Sequence, residues 1–310
     1  MLNAIFVVFG AALWATDALF RHPMVQQTSA LSIVFIEHLF AMMIAAVWVF
    51  TVERKRIHLA WLPIFGAALI GIFGSALATL FFTQSFKYVN PSISILLQKI
   101  QPIIVIFLSW IFLEEKLSLR FFAWGAVALA AAFFMSFPHG INADDLEGAN
   151  IRGVAFALVA AIFWAISTVI GKVTLKKMSG SHLTLWRFLF GFLTLWLMIS
   201  FSPESKMDVP FITADSSVLR SIFFMALIPG FVGVSLYYRG LARLKASVAT
   251  MLELAFPLCA LFVNSRHLDI HLENAQLLSA GVLVFAIVKI SRVTVNELSS
   301  SVSAEKPISP

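Results

Sequence analysis

Ten apolar stretches of about 20 residues each follow one another along the sequence. An α-helix of about 20 residues crosses the roughly 30 Å hydrocarbon core of a bilayer. The chain has 310 residues, of which 60% are hydrophobic and 12% are charged, whereas about a quarter of the residues in soluble domains are charged. Too little polar surface is present to face water on all sides. We therefore predict an all-α membrane protein with ten transmembrane helices.

The predicted spans are bounded by polar or charged connections. They lie near residues 3–22, 30–51, 60–86, 91–112, 117–137, 151–172, 182–201, 218–240, 246–264 and 273–291. The first stretch has no basic segment before it and no small-residue cleavage site after it, so we interpret it as a retained helix and not as a signal peptide. The Ser-rich residues 293–310 predict a disordered cytoplasmic tail.

The distribution of basic residues predicts the orientation. With both termini cytoplasmic, the inner segments hold 14 Lys and Arg residues and the outer segments hold 6, while Lys99 and Arg187 fall within spans. Cytoplasmic segments of membrane proteins carry an excess of Lys and Arg, so we predict cytoplasmic termini in a bacterial-type inner membrane. The net charge of +6 is then a consequence of topology, and it is no sign of nucleic-acid binding.

The sequence contains an internal repeat. An offset of 150 aligns Trp14-Ala15 with Trp164-Ala165, and an offset of 155 aligns Pro102 with Pro257. We predict a first repeat over residues 1–140 and a second over residues 151–292. Because each holds five spans, the second copy is inverted relative to the first. Inverted repeats are typical of secondary transporters, which bind substrate near the midplane between the copies.

Short motifs in both repeats resemble the EamA domain of the drug/metabolite transporter superfamily. The second repeat carries Ala246-Ser247-Val248-Ala249 before Pro257, and the first carries Asn90-Pro91-Ser92 before Pro102. The run Leu113-Glu114-Glu115-Lys116-Leu117 is similar to the family's Leu-Gly-Glu-x-Leu, with Glu114 in place of Gly, whereas residues 268–272 have neither the Gly nor the Glu. The resemblance implies a transporter of amino acids, other metabolites, vitamins or nucleotide-like compounds. It also implies a central cavity bordered by the fourth and ninth helices, which Pro102 and Pro257 would shape.

Ionisable residues within the spans are candidate gate or coupling groups, because each costs about 2.5–3.5 kcal/mol at a helix centre. Ordered by depth, they predict an outer network of Asp17, Glu37 and Lys99. The corresponding inner network consists of Arg187, Arg239 and Glu253. We expect the two networks to close alternately over a central cavity. The alternative is that they are static ion pairs, or arginines that extend to the interface.

Aromatic and amide side chains are candidate cavity residues. Trp14 and Trp164 lie midway through equivalent spans, although Trp is usually found at the membrane interface. Gln84, Gln98 and Gln101 would supply polar contacts. Helix packing is the alternative explanation for all five residues.

The leading function is secondary transport or export of a small polar or amphipathic metabolite, with amino-acid-like compounds first. A flippase for lipids or lipid-linked headgroups is the nearer alternative, and a membrane-embedded enzyme is the more distant one. The sequence has no Walker-type loop, HExxH or GxSxG.

We predict no cofactor and no metal site, and we interpret His267 to His271 as a solvated loop. Candidate partners are the substrate, the bilayer, a second copy of the chain and a proton acting through Asp17, Glu37 or Glu253. An uncoupled facilitator fits equally well.

Overall fold

The computed structural model describes residues 2–54, 60–141, 150–268 and 272–304, and these residues contain no β-strand. They hold ten helices long and apolar enough to span a membrane. In chain order these are α1 (Leu2–Val25), α2 (Ala30–Glu53), α3 (Trp61–Ser85), α4 (Pro91–Phe112), α5 (Leu119–Ser136), α6 (Ile151–Thr174), α7 (Gly180–Ser200), α8 (Ser216–Leu241), α9 (Ala246–Val263) and α10 (Asn274–Val293). A shorter helix, Pro203–Ala214, connects α7 to α8. The predicted fold class of ten transmembrane helices in two inverted repeats is confirmed.

Side-chain caps define where many of the spans begin. Ser29, Ser118 and Ser179 each accept a hydrogen bond from a backbone N–H in the first turn of the helix that follows. Asn90 does the same for α4, where Pro91 occupies the first helical position. The backbone N–H that proline lacks would have no partner within the helix at this position, and the fixed φ of proline suits the helix. The boundaries therefore follow from polar residues that satisfy the helix ends at the edges of the apolar stretches.

The helices pack in pairs that the repeat relates to one another. Helix α1 packs on α8, and the equivalent pair is α6 on α3. Pairs α2 with α7, α5 with α10, and α4 with α9 each join equivalent helices of the two repeats. Gly10 of α1 lies so close to α8 that a Cβ there would be 2.8 Å from the carbonyl oxygen of Gly233. Small residues of this kind allow close helix contact without a hydrophobic driving force.

Two equivalent helices contain a π-helical segment near their middle. In α3 it covers Ile70–Leu77, and in α8 it covers Ala226–Gly233, which lies 156 positions later. A π-helical segment shifts the hydrogen-bond pattern and is frequent at functional sites. The segment in α8 contains Pro229, whose missing N–H prevents regular α-helical pairing.

Helices α1, α4 and α9 are interrupted near their middle. Helix α1 breaks at Ala15–Thr16, and α9 turns at Glu253–Leu254. In α4 a 3₁₀ turn covers Gln98–Ile100. These breaks and the π-helical segments surround the centre of the molecule.

The last helix extends beyond the predicted tenth span. It begins at Asn274 and ends at Ala304, so its backbone is helical over much of the segment for which the sequence predicts disorder. Residues 305–310 lie outside the described residues.

Candidate functional site

A central cavity of about 200 Å³ is lined by both repeats. Its polar lining comes from helix breaks, π-helical segments and the helices packed on them. The first repeat contributes Trp14, Asp17, Arg21, Glu37, His38, Gly74, Ser75, Thr79, Phe82, Gln98, Lys99, Gln101 and Pro102, and the second contributes Trp164, Ser167, Thr168, Arg187, Phe188, Pro229, Gly230, Val234, Tyr237, Tyr238, Thr250, Glu253, Leu254 and Phe256.

The breaks in α4 and α9 have the same cause. Proline removes the N–H that would bond to the carbonyl four residues earlier. Instead the residue before each proline supplies the donor, with Gln101 N–H bonding to Gln98 O and Phe256 N–H bonding to Glu253 O. Both turns are tightened, and both direct polar side chains inward. Pro102 lines the cavity, whereas Pro257 acts on it through the backbone and is not among the lining residues.

The two breaks meet across the cavity. Gln101 Nε2 donates to Glu253 Oε2 at 3.0 Å, and Lys99 Nζ lies 4.5 Å from the centre of the Phe256 ring. Lys99 therefore associates with α9 and not with Asp17 and Glu37, so the predicted outer network of these three residues is wrong in its membership. Depth along a helix does not show which way a side chain points once the helix is broken.

A buried charge cluster joins α1 and α2. Arg21 Nε lies 2.5 Å from Asp17 Oδ2, and its Nη2 lies 2.8 Å from Glu37 Oε2. Arg21 Nη1 donates to Thr83 Oγ1 of α3 at 3.0 Å. The Arg21 side chain is 2% exposed, so desolvation makes it dependent on these partners. We call Asp17, Arg21 and Glu37 the acidic triad, since its formal charge is −1.

Arg187 of α7 has neutral partners. Its Nη1 donates to the hydroxyl of Tyr238 at 3.0 Å, and its Nη2 donates to the carbonyl of Gly74 at 3.3 Å. Its Nε reaches Ser75 Oγ at 3.4 Å. Gly74 and Ser75 belong to the π-helical segment of α3. Arg187 therefore joins α7 to the π-helical segment of α3 and to α8.

His38 is linked to Arg187 through Ser75. Its Nδ1 is 2.9 Å from the carbonyl of Val34, and its Nε2 is 3.0 Å from Ser75 Oγ. A carbonyl only accepts, so Nδ1 carries the proton and Nε2 accepts from the Ser75 hydroxyl. Ser75 can then accept from Arg187, which makes a continuous chain from α2 through α3 to α7.

The two equivalent tryptophans both line the cavity, with different polar contacts. Trp14 Nε1 donates to the carbonyl of Pro229 at 3.1 Å, and its ring lies 5.2 Å from that of Tyr237. Trp164 packs edge-on against Phe82, at 5.3 Å between ring centroids. Aromatic walls of both repeats thus face the same space.

Gln84 and Arg239 lie away from the cavity, as neither is among its lining residues. Arg239 lies 5.4 Å from the Phe6 ring. This position fits the predicted alternative, an arginine that extends to the interface, better than it fits the inner network. The predicted association of Arg187 with Arg239 and Glu253 is therefore also wrong in membership, because Tyr238, not Arg239, faces Arg187.

Several site residues were not singled out from the sequence. Arg21, Ser75, Tyr237 and Tyr238 are the main ones. Spacing gave a signal for Arg21, which lies four residues after Asp17 and therefore on the same helix face. Ser75 lies within a π-helical segment, and Tyr237 and Tyr238 lie just after one. The sequence has no clear pattern for such segments. Among the described residues, no group of three His, Cys, Asp or Glu side chains could hold a metal ion. Asp269 and His271 lie outside that part of the chain.

Known proteins resemble this chain over most of its length. The EamA-like transporter family matches residues 1–137 and 151–292. The riboflavin transporter ImpX of Fusobacterium nucleatum subsp. nucleatum is 29% identical over 299 residues, which cover 94% of this chain and 98% of that protein. An uncharacterized transporter of Archaeoglobus fulgidus is 26% identical over 233 residues, covering 75% of this chain and 79% of its own.

A solved crystal structure shares the fold. It superposes with a TM-score of 0.72 at 16% identity, covering 94% of this chain and 96% of the other. The family match falls on the two predicted repeats and leaves out the connection between them. The chain belongs to the EamA-like transporter family within the drug/metabolite transporters, and it is an integral membrane transporter of small molecules and not an enzyme.

Proposed function

We propose that the protein is a secondary transporter that moves a small amphipathic metabolite across a bacterial-type inner membrane by alternating access. The observation that carries this proposal is the central cavity, whose polar groups come from broken and π-helical segments of both repeats. Irregular backbone at membrane depth is stable where it lines a cavity or is buried in protein. Substrate sites of inverted-repeat transporters are formed in this way.

The substrate is proposed to contain a flat ring with polar groups at its edge. Trp14, Tyr237, Trp164 and Phe82 supply aromatic surface from both repeats. Amides and charged groups surround that surface. An aromatic amino acid fits this lining, and so does the vitamin named for the Fusobacterium relative.

Two clusters at different depths are proposed as gates. The acidic triad lies toward the membrane side where α1 ends and α2 begins. The cluster of Arg187, Tyr238 and Gly74 lies toward the other side, where α7 begins and α8 ends. Closing one cluster while opening the other would expose the cavity to each side in turn. The proposed gates keep the two-sided arrangement expected from the inverted repeat, with revised membership.

A proton is proposed as the coupling ion, with Glu253 as its site. Glu253 lines the cavity, and within the described ranges no Lys or Arg forms an ion pair with it. The groups that face it are Gln101 and Lys99 of α4 and Tyr237 of α8. In contrast, Asp17 and Glu37 are already paired with Arg21.

Flux measurements in proteoliposomes test the proposed function. Purified full-length protein is reconstituted, and uptake of labelled riboflavin, tryptophan and phenylalanine is followed with and without a pH gradient. We expect saturable flux of at least one compound, and competition by the same unlabelled compound. Trp14→Ala should reduce that flux about tenfold or more, whereas Trp110→Ala, which changes a side chain that is 64% exposed, should not.

A fluorescent-lipid scrambling assay on the same vesicles separates transport from the flippase alternative. Lipid scrambling without saturable flux of any soluble compound would contradict metabolite transport.

A further inference from the structure

Arg187 is a cation in the cavity wall without an acidic partner. All three of its hydrogen bonds go to neutral groups, the hydroxyls of Tyr238 and Ser75 and the carbonyl of Gly74. Within the described part of the chain, no carboxylate lies within 4 Å of its guanidinium. Neutral acceptors offset only part of the cost of a charge in a membrane interior. Ionisable residues in such places mark substrate pathways.

The repeat shows why the partner is missing. Arg187 is equivalent to Glu37 at the offset of 150, and Glu37 is paired with Arg21. The positions of α6 equivalent to Asp17 and Arg21 of α1 are Ser167 and Gly171. The second repeat therefore has the central charge but lacks the charged helix face that would neutralise it.

Ser167 provides a second, independent sign of a ligand. Its side chain lines the cavity and is more than nine-tenths buried, yet its Oγ has no hydrogen-bond partner among the described residues. Ser167 Oγ packs directly against Gly74, whose carbonyl accepts from Arg187. The unpaired Ser167 hydroxyl and the unneutralised Arg187 guanidinium thus both contact Gly74 and both line the cavity, and together they supply donors for an anion.

The number of free donors selects the kind of anion. A guanidinium has five N–H groups, and three bonds are made, so one N–H on each terminal nitrogen remains. An N–H from each terminal nitrogen can pair with one oxygen of a carboxylate. A single negative charge also neutralises a single arginine, whereas a phosphate dianion would leave an excess.

We propose that Arg187 and Ser167 bind a carboxylate of the transported metabolite. This proposal rests on the proposed function, since the anion subsite is part of the same cavity. The substrate is then an amphipathic carboxylic or amino acid, with its ring against the aromatic walls and its carboxylate at Arg187. A zwitterion would place its ammonium group toward the acidic triad, which carries the opposite excess charge.

A set of indole compounds that share a two-carbon side chain and differ in its charged groups tests the subsite. Indole-3-propionate is an anion, tryptophan a zwitterion and tryptamine a cation, while riboflavin is neutral and riboflavin 5′-phosphate provides a phosphate. Binding is measured as the ligand-dependent rise in Tm of the purified full-length protein. We expect indole-3-propionate and tryptophan to bind at least tenfold more tightly than tryptamine. Arg187→Gln should abolish that preference, and Arg220→Gln, at an exposed arginine of α8, should keep it.

Two further variants cover the case in which Arg187→Gln does not fold. Arg187→Lys keeps the charge and loses the two-pronged geometry, so a weakened preference is expected. Ser167→Ala should weaken carboxylate binding several-fold and leave tryptamine unchanged.

Four results would overturn the proposal. These are equal affinity for tryptamine and indole-3-propionate, an unchanged preference in Arg187→Gln, binding restricted to riboflavin or its phosphate, and no binding of any indole compound. Carboxylate binding that depends on Arg187 without flux in proteoliposomes would instead contradict transport and leave the anion subsite intact.

Discussion

Arg21 connects two carboxylates that come from different helices. Its side chain is 2% exposed, with Asp17 one helical turn away in α1 and Glu37 across in α2. The attraction of Arg21 to the two carboxylates offsets the cost of removing all three charges from water only while all three groups are present. Removal of the central cation would leave two carboxylates near each other without a counter-ion.

Arg21→Gln is therefore expected to lower the free energy of unfolding by about 3–5 kcal/mol. The measurement is an unfolding titration of the purified protein in mixed detergent micelles. Arg220→Gln is the matched control and should change stability by less than about 0.5 kcal/mol. If the two variants unfold at the same midpoint, the triad is not a stabilising unit.

Glu253→Gln tests proton coupling at the residue scale. Glutamine has nearly the shape of a protonated glutamate and cannot release a proton. Lys99 and Tyr237 remain beside it. We expect the variant to lose the stimulation of uptake by a pH gradient while it retains exchange of labelled for unlabelled substrate at equal pH. Glu204→Gln, in the exposed connecting helix, should leave the stimulation unchanged.

Gradient-stimulated uptake that persists in Glu253→Gln would exclude this carboxylate as the coupling group. If the wild-type protein itself shows no gradient stimulation, it is an uncoupled facilitator.

At the scale of elements, the connection between α4 and α5 holds the start of α9. The carboxylate of Glu115 accepts from the backbone N–H groups of Ala246 at 2.7 Å and Ser247 at 3.1 Å, and from Ser247 Oγ at 2.5 Å. These N–H groups would otherwise be unpaired at a buried helix start. The neighbouring Glu114 has a φ of 54°, a left-handed conformation that costs a non-glycine residue about 1–2 kcal/mol.

The two adjacent glutamates should therefore respond oppositely to substitution. Glu115→Ala should destabilise the protein by about 1.5–3 kcal/mol, because charged hydrogen bonds to a buried helix start are lost. Glu114→Gly should stabilise it by about 0.5–1 kcal/mol, since the strain removed exceeds the extra entropy of glycine in the unfolded chain. Both are measured by the unfolding titration used for Arg21. Equal destabilisation by the two variants would contradict the distinct roles assigned here.

The elements show what could be predicted from sequence and what could not. The predicted spans 30–51 and 60–86 lie within two residues of the observed helices Ala30–Glu53 and Trp61–Ser85, because hydropathy and capping residues act locally. The π-helical segments could not be predicted. They depend on contacts between helices, such as Gly74 against Ser167 and Arg187. The motif showed that Glu114 replaces the family's glycine, but it did not show that Glu114 keeps a left-handed φ.

The same distinction applies to the site. Of the predicted cavity residues, Trp14, Trp164, Gln98, Gln101 and Pro102 line the cavity. The repeat aligned the two tryptophans at mid-depth, and the two glutamines are polar residues within an apolar span. The network memberships of Lys99 and Arg239 were wrong because depth alone does not define direction around a helix axis. Arg239 points toward Phe6, and the break in α4 brings Lys99 to Phe256.

At the scale of the whole molecule, the remaining prediction is which side faces the cytoplasm. An even number of spans places both ends of the ten-helix unit on one side, and five spans place the connection between the repeats on the other. The count of 14 basic residues on the side of the termini against 6 on the other predicts that the termini are cytoplasmic. The acidic triad would then form the outer gate, and Arg187 with Tyr238 the inner one.

Reporter fusions in bacterial cells test this orientation. Green fluorescent protein folds only in the cytoplasm and alkaline phosphatase is active only outside it, so the two reporters give opposite signals at each site. Fused after Val293, the fluorescent reporter should be bright and the phosphatase inactive. Fused after Gly140, which follows the fifth span, the pattern should reverse. The opposite pattern at both sites would exchange the two gates, while one shared pattern at both sites would contradict the inverted repeat itself.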